Sequence, residues 1–302
     1  MKIAIIGGSG FIGRNLAKEL HRSGKEVVIF SRKKTLPPDL IDLPKVNLIS
    51  TSKPLAENFE SIDVLVNLAG EPVVGRWSET YKQALRRSRV DFTKDIITEL
   101  EKVKVKPKVF IQGSAIGYYG MHESSEPVCQ EGSQAGEDFL AKLCVDWENA
   151  ALPAEKLGIR SILIRTGVVL SPENGALEQM LTPFKLFVGG PLGNGKQYLS
   201  WIHITDMVRG ILFLMENAKA KGVFNFTAPK PCSNKEFSNV LGNVLSRPSF
   251  MPVPSFAITA LYGEGAEVIL KGQNVLPTRL LASGYKFQFP DLKQALENLL
   301  IS

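Results

Sequence analysis

Residues 2–13 read KIAIIGGSGFIG, a short β-branched run that breaks into glycine and restarts in apolar residues. Gly7, Gly10 and Gly13 recur every third position. An apolar run bounded by glycines predicts a buried strand entering a loop. Beyond the loop, Ile12, Leu16 and Leu20 share one face of a helix expected over 11–23, and Gly24 supplies its C-terminal stop. The same alternation continues outward. EVVIFS (26–31), VNLIS (46–50), DVLVNLAG (63–70), KVFIQGS (108–114) and RSILIRTG (160–167) read as strands. Tyr81, Leu85, Phe92, Ile96, Leu100 and Val103 mark one stripe of a long helix, and a second helix is expected over 138–157. Strands alternating with helices of this length imply parallel βαβ units. The fold class is therefore α/β, a Rossmann-type doubly wound parallel sheet.

After Gly167 the rhythm changes. Residues 171–200 hold five glycines and three prolines around one helix, expected over 176–188. WIHITDMVRGILFLM (201–215) restarts a helix with Thr205 or Asp206 as its cap, and GVFNF (222–226) is one more strand. Ser233 followed by Glu236 is a capping-box pattern. The expected organisation is a nucleotide-binding domain, 1–167 plus about 201–230, and a smaller, discontinuous C-terminal α/β lobe, 168–200 and 231–302, that binds substrate.

The glycine spacing carries a chemical meaning in this context. Gly7 permits a tight turn, Gly10 lets backbone amides approach a pyrophosphate, and Gly13 lets the helix pack close to the strand. The phosphates would meet unpaired N–H groups at the positive helix end. Strand two then ends in IFSRKK (29–34). A carboxylate there would hold both ribose hydroxyls and select NAD. Ser31 and Arg32 stand in its place, a hydroxyl and a flat guanidinium fork suited to phosphate oxygens. The expected cofactor is NADP; the alternative is a solvated basic edge.

Whole-chain properties exclude several classes. Hydrophobic residues make up 44% of the 302-residue chain and charged residues 22%, as in an ordinary globular protein. No apolar run reaches the ~18 residues of a membrane span, and the N-terminus is too glycine-broken for a signal-peptide core. Cys129, Cys144 and Cys232 lie far apart without a CxxC or a histidine cluster, which argues against disulfides or a metal site and fits a reducing cytoplasm. The formal charge is +6. Its basic clusters, Arg86-Arg87-Arg89 among them, have no interleaved stacking aromatics, so they read as solvated surface with no nucleic-acid partner. A modest positive field suits anionic small molecules. A homodimer is left open.

With these motifs in hand, the chain resembles the extended or atypical short-chain dehydrogenase/reductases. The resemblance rests on GGSGFIG, VNLAG, GSAIGYYG, LIRTGVVLSP and YLSWIHITDM. More narrowly, NLAGEPVVGRW, DFLAKLCVDWENAA and GGPLGNGKQYLSWIHI are similar to the epimerase-like (SulA-like, nucleoside-diphosphate-sugar epimerase-like) family, with its C-terminal segment in ILKGQNVLPTRLLASGYKFQFPDL. The resemblance puts Gly7, Gly10, Phe11, Ile12 and Gly13 at the pyrophosphate, with Ser9 also among the cofactor-binding residues. It puts Ser31 and Arg32 at the 2′-phosphate and Leu68, Ala69 and Gly70 beneath the adenosine half. Glu71 and Arg76 would border the cofactor, the alternative being a surface ion pair, and Val168 would meet the nicotinamide end.

The chain departs from the superfamily's chemistry. That chemistry uses a Tyr whose pKa is lowered by a Lys one helical turn later. None of the six tyrosines has Lys at i+4. Aligning Glu148 with the usual downstream glutamate puts Leu140 and Cys144 where Tyr and Lys would stand. Ser114 and Tyr119 remain as catalytic candidates, although Tyr119 without help is a poor base at neutral pH. His203, Trp147 and Trp201 read as structural, and GGPLGNGKQ (189–197) as a flexible loop able to close over substrate. Two functions compete: an NADP-dependent epimerase-like oxidoreductase of an unidentified small polar substrate, a nucleotide sugar being one alternative, and a non-catalytic NADP(H) sensor.

Overall fold

Alternate side chains of the first strand face opposite ways, and both faces are apolar, so each must be covered by helices. The computed structural model describes residues 1–51 and 56–301. Its principal sheet contains β1 (Lys2–Ile6), β2 (Glu26–Ser31), β3 (Val46–Ser50), β4 (Val64–Asn67), β5 (Val109–Ala115), β6 (Arg160–Thr166) and β7 (Gly222–Phe226). Their spatial order is β7-β6-β5-β4-β1-β2-β3, every pair parallel. The chain reverses its direction of travel between β1 and β4, the switch point at which such sheets open a crevice.

The helices are α1 (Phe11–Arg22), α2 (Glu79–Arg86), α3 (Phe92–Lys102), α4 (Phe139–Ala151), α5 (Ala176–Lys185), α6 (Ile204–Glu216), α7 (Asn234–Leu245), α8 (Ser255–Tyr262) and α9 (Leu292–Leu300), besides shorter turns. Ile3 and Ile5 pack under Leu16 and Leu20 of α1 and Met207 and Ile211 of α6. Ala4 and Ile6 face the other way, onto Ile96, Ile97 and Leu100 of α3. A third core joins Leu177, Leu181 and Phe184 of α5, Trp201, Phe237 and Leu241 of α7, and Leu292 and Leu296 of α9.

Where the elements differ from expectation, the causes are identifiable. The stripe from Tyr81 to Val103 is not one continuous α-helix, because Arg87–Asp91 forms a π turn between α2 and α3. Such a turn inserts a residue and re-aims its neighbours, often at functional sites. The helix expected over 138–157 is interrupted at Leu152, which stays in helical geometry, because Pro153 after it lacks the N–H that would continue the hydrogen-bond ladder. Helix α5 ends at Lys185 rather than 188.

The cap of α6 is neither Thr205 nor Asp206 but His203, whose Nδ1 accepts the Thr205 N–H at 3.0 Å. Asp206 instead accepts the Gln288 and Phe289 amides at 2.7 and 2.8 Å and the Tyr285 hydroxyl at 3.0 Å, which pins the C-terminal segment to α6. The His203 ring stacks on Phe289 at 3.9 Å. Burial pulls its pKa down to about 4, with the nearby Asn298 opposing. The unfolded chain takes up this proton near the ordinary histidine value of 6.5, so His203 contributes full stability above that pH and loses it progressively down to about 4. The expected loss is about 2–4 kcal/mol. It should appear as a stability difference between wild type and His203→Asn that shrinks as pH falls through this window; a difference constant in pH would sink the assignment.

Residues 189–195 are held more firmly than a free lid. Gly193 N–H donates to the Val253 carbonyl, Val253 N–H to the Pro191 carbonyl, and Leu192 N–H to Asn234 Oδ1. Among the described residues no helix is long and apolar enough to cross a membrane.

Candidate functional site

A tight loop after β1 and a sheet crevice beside it come together at the C-terminal ends of β1, β2 and β4. Gly7 has φ +79°, a left-handed conformation a side chain would strain. A Cβ at Gly13 would collide with the Gly7 carbonyl oxygen. The loop therefore folds onto the start of α1, whose N-cap is Gly10 and whose first turn receives no side-chain cap. Those amides are available to an anion.

The adjoining cavity measures about 380 Å³ and is lined by Gly7, Ser9, Gly10, Ser31, Arg32, Leu68, Ala69, Gly70 and Glu71. Nine of the expected cofactor residues thus share one space. Ile6, Phe30, Thr51, Pro72, Ser88 and Phe92 line it too and had not been assigned to it. Phe92 had registered only as part of a helical stripe, and Ser88 gave no signal beyond its place near that stripe.

The polar contacts fix this wall. Ser9 and Ser31 share a hydroxyl hydrogen bond of 2.7 Å, and Ser31 also accepts the Lys33 amide at 3.1 Å. Arg32 is 80% exposed along its side chain and meets Glu71 at 3.4 Å. Among the described residues Glu71 does not pair with Arg76, as the surface alternative would have it; its ion-pair partner is Arg32. Asn67, at the end of β4, receives the Ala69 amide on its Oδ1 and donates to Gln112 in β5. Ser88 and Arg89, in the π turn, hold the Glu71 backbone: Glu71 N–H donates to Ser88 Oγ at 3.1 Å, and Arg89 Nη2 donates to the Glu71 carbonyl at 2.8 Å. Arg89 is only 8% exposed, against the expectation of a solvated basic cluster.

Other expected residues lie apart from the cavity lining. Phe11 packs against Gly175, and Gly13 against Gly7 and Gly8; Ile12 joins the core beneath α1. Arg76 stands beside Gly263, where residues 75–77 contact the turn at 263–266. Val168 pairs with Trp201 and donates its N–H to the Ser200 carbonyl at 2.8 Å.

Ser114 and Tyr119 sit inside a closed polar network. Ser114 donates to Glu148 Oε1 at 2.6 Å. Arg165 of β6 grips the same carboxylate through Nε and Nη2, both at 2.8 Å. Arg165 Nη1 donates to the Tyr119 hydroxyl at 3.0 Å, and Tyr119 donates to Asn225 Oδ1 at 2.7 Å. The Tyr118 ring covers the Arg165 guanidinium at 3.2 Å. Burial works against the Arg165 charge, and Glu148 more than offsets it, so the guanidinium holds its proton above the ordinary range. Burial pushes Tyr119 up to about 12, with Arg165 opposing. At 2% exposure, with its hydroxyl both donating and accepting, Tyr119 presents no free proton carrier in this arrangement.

Leu140 and Cys144 of α4 face Gly117, their nearest atoms 3.5 and 3.9 Å from its Cβ position. Burial and the Glu148 charge push the Cys144 thiol up to about 12. These two residues fill their space without offering an ionisable pair at neutral pH.

Known proteins resemble this chain over most of its length. The NAD dependent epimerase/dehydratase family matches residues 3–226, and a domain of unknown function, DUF1731, matches residues 253–299. The epimerase family protein SDR39U1 homolog, chloroplastic, of Arabidopsis thaliana is 39% identical over 99% of this chain and 87% of its own. The epimerase family protein YfhF of Bacillus subtilis is 38% identical over 99% of this chain and 98% of its own. The crystal structure of human epimerase family protein SDR39U1 (isoform 2) with NADPH superposes with a TM-score of 0.88 at 34% identity, covering 100% of both chains. UDP-glucuronic acid 4-epimerase of Bacillus cereus, solved with NAD, has a TM-score of 0.79 at 18% identity over 98% of this chain and 96% of its own, a likeness of fold. With its sheet order, glycine loop and family match in agreement, this chain belongs to the NAD dependent epimerase/dehydratase family.

Proposed function

We propose that this chain binds NADP(H) through the glycine loop and the Ser31–Arg32 turn, and that it is an epimerase-like oxidoreductase of a small polar, nucleotide-linked substrate. The observation that carries the cofactor reading is the shared cavity. Uncapped amides of α1 border it at one side, and a hydroxyl and an open guanidinium border it at the end of β2. The human relative crystallised with NADPH supports the same reading. When bound, the nicotinamide supplies hydride chemistry, and the chain binds and orients it. The lobe formed by 168–200 and 231–302 would hold the substrate.

Proton transfer is the weaker half of the enzyme reading. Ser114 and Tyr119 are its candidate hydroxyls, and either must leave the Glu148–Arg165 network to act. That enclosure, with Leu140 and Cys144 in place of an ionisable pair, favours the second reading, a non-catalytic NADP(H) sensor. A screen of purified protein with NADPH against carbonyl compounds and sugar nucleotides separates the two. Turnover of at least one compound is the expected result. Silence across the library, with a partner retained at only one NADP/NADPH ratio, would replace the enzyme with the sensor.

A further inference from the structure

We propose that Arg89 binds the half of the dinucleotide opposite its 2′-phosphate, supplying from the π turn before α3 the cation absent from position 144. This rests on the NADP(H) reading above. A buried guanidinium is costly to desolvate unless a counter-charge and hydrogen bonds compensate it. Arg89 is buried, yet its protein contacts are the Glu71 carbonyl at 2.8 Å, the Ser88 hydroxyl at a long 3.4 Å, and the Trp147 ring at 5.1 Å. It makes no ion pair among the described residues, because the Glu71 carboxylate is turned outward to Arg32. A guanidinium carries five N–H donors, so Arg89 retains donors beyond these contacts.

Its position assigns the ligand. Arg32 stands after β2, on one side of β1, whereas Arg89 leans over β4 and β5. Its Cζ lies 3.0 Å from the Cβ position of Gly70, just past β4, and Trp147 beneath it packs on Gly113 of β5. A dinucleotide crossing the switch point places one nucleotide on each side of it. Arg89 reaches from Gly70 and Glu71, at the edge of the adenosine half, over Trp147 and β5, toward the half away from Arg32. Gly70 is the residue that makes room, since any side chain there would press on the guanidinium. Cys144, on the same helix as Trp147, carries no charge to perform this task.

The test compares two ligands on Arg89→Met and Arg89→Lys: NADPH, and adenosine 2′,5′-bisphosphate, which lacks the nicotinamide half. Thermal melting without ligand first establishes that each variant is folded; if Arg89→Met is not, Arg89→Lys and Arg89→Gln carry the comparison. Loss of a charged hydrogen-bond donor is expected to weaken NADPH binding about 10- to 100-fold. Binding of the bisphosphate should stay within about twofold of wild type, as for an independent site, and Arg89→Lys should recover part of the loss. Equal weakening of both ligands would make Arg89 a support for the Gly70–Glu71 loop and overturn the proposal, as would unchanged NADPH affinity. If wild type binds neither ligand, the NADP(H) reading itself falls.

Discussion

Replacing Glu148 with alanine is expected to destabilise the fold by about 3–5 kcal/mol, because it strands a buried guanidinium. Glu148 and Arg165 are both buried and joined by two contacts of 2.8 Å, and Ser114 donates to the same carboxylate. An exposed pair would cost only about 0–1 kcal/mol to break, so the magnitude reports burial directly. Removing both charges together, as Glu148→Leu with Arg165→Met, should recover most of the loss, since a buried pair is often replaceable by apolar residues. Thermal or denaturant unfolding measures both variants. A cost near that of an exposed pair would mean that the network is open to water, and Ser114 and Tyr119 would then return as accessible groups.

The parts that the sequence made legible are those set by near neighbours. The β-branched run before Gly7, the helical spacing of Leu16 and Leu20 and the strand ending at Ser31 each depend on a few adjacent residues, and β1, α1 and β2 formed within two residues of expectation. Nine cofactor candidates met in one cavity for the same reason: the βαβ rhythm dictates which loops share the C-terminal edge of the sheet. Residues whose meaning depends on distant partners were not legible. Asp206 resembled a helix cap, but its carboxylate is claimed by Tyr285, Gln288 and Phe289. Arg89 resembled one more solvated charge in a basic cluster, and only the π turn and the approach of Gly70 and Trp147 bury it. Arg165, inside an apolar strand, gave no hint of the carboxylate awaiting it on α4.

Arg32→Asp is expected to lower NADPH affinity by about 100-fold or more while leaving NADH binding intact or improved. The guanidinium is open to solvent and, among the described residues, meets Glu71 at 3.4 Å, so a phosphate can engage its planar fork at little structural expense. Aspartate there would repel the 2′-phosphate and could accept hydrogen bonds from the unphosphorylated ribose. Fold stability should change by no more than about 0.5 kcal/mol, as expected of an exposed position. Ser31 adds less to this selectivity, because its hydroxyl already bonds Ser9 and the Lys33 amide.

The most direct test of the cofactor assignment is a calorimetric titration of the wild-type protein with NADPH and with NADH under one buffer and salt condition. NADPH should bind at least about tenfold more tightly, and that margin should collapse or reverse in Arg32→Asp. Equal affinity for the two cofactors in wild type, or tighter binding of NADH, would show that Ser31 and Arg32 do not read a phosphate and would overturn the NADP(H) assignment.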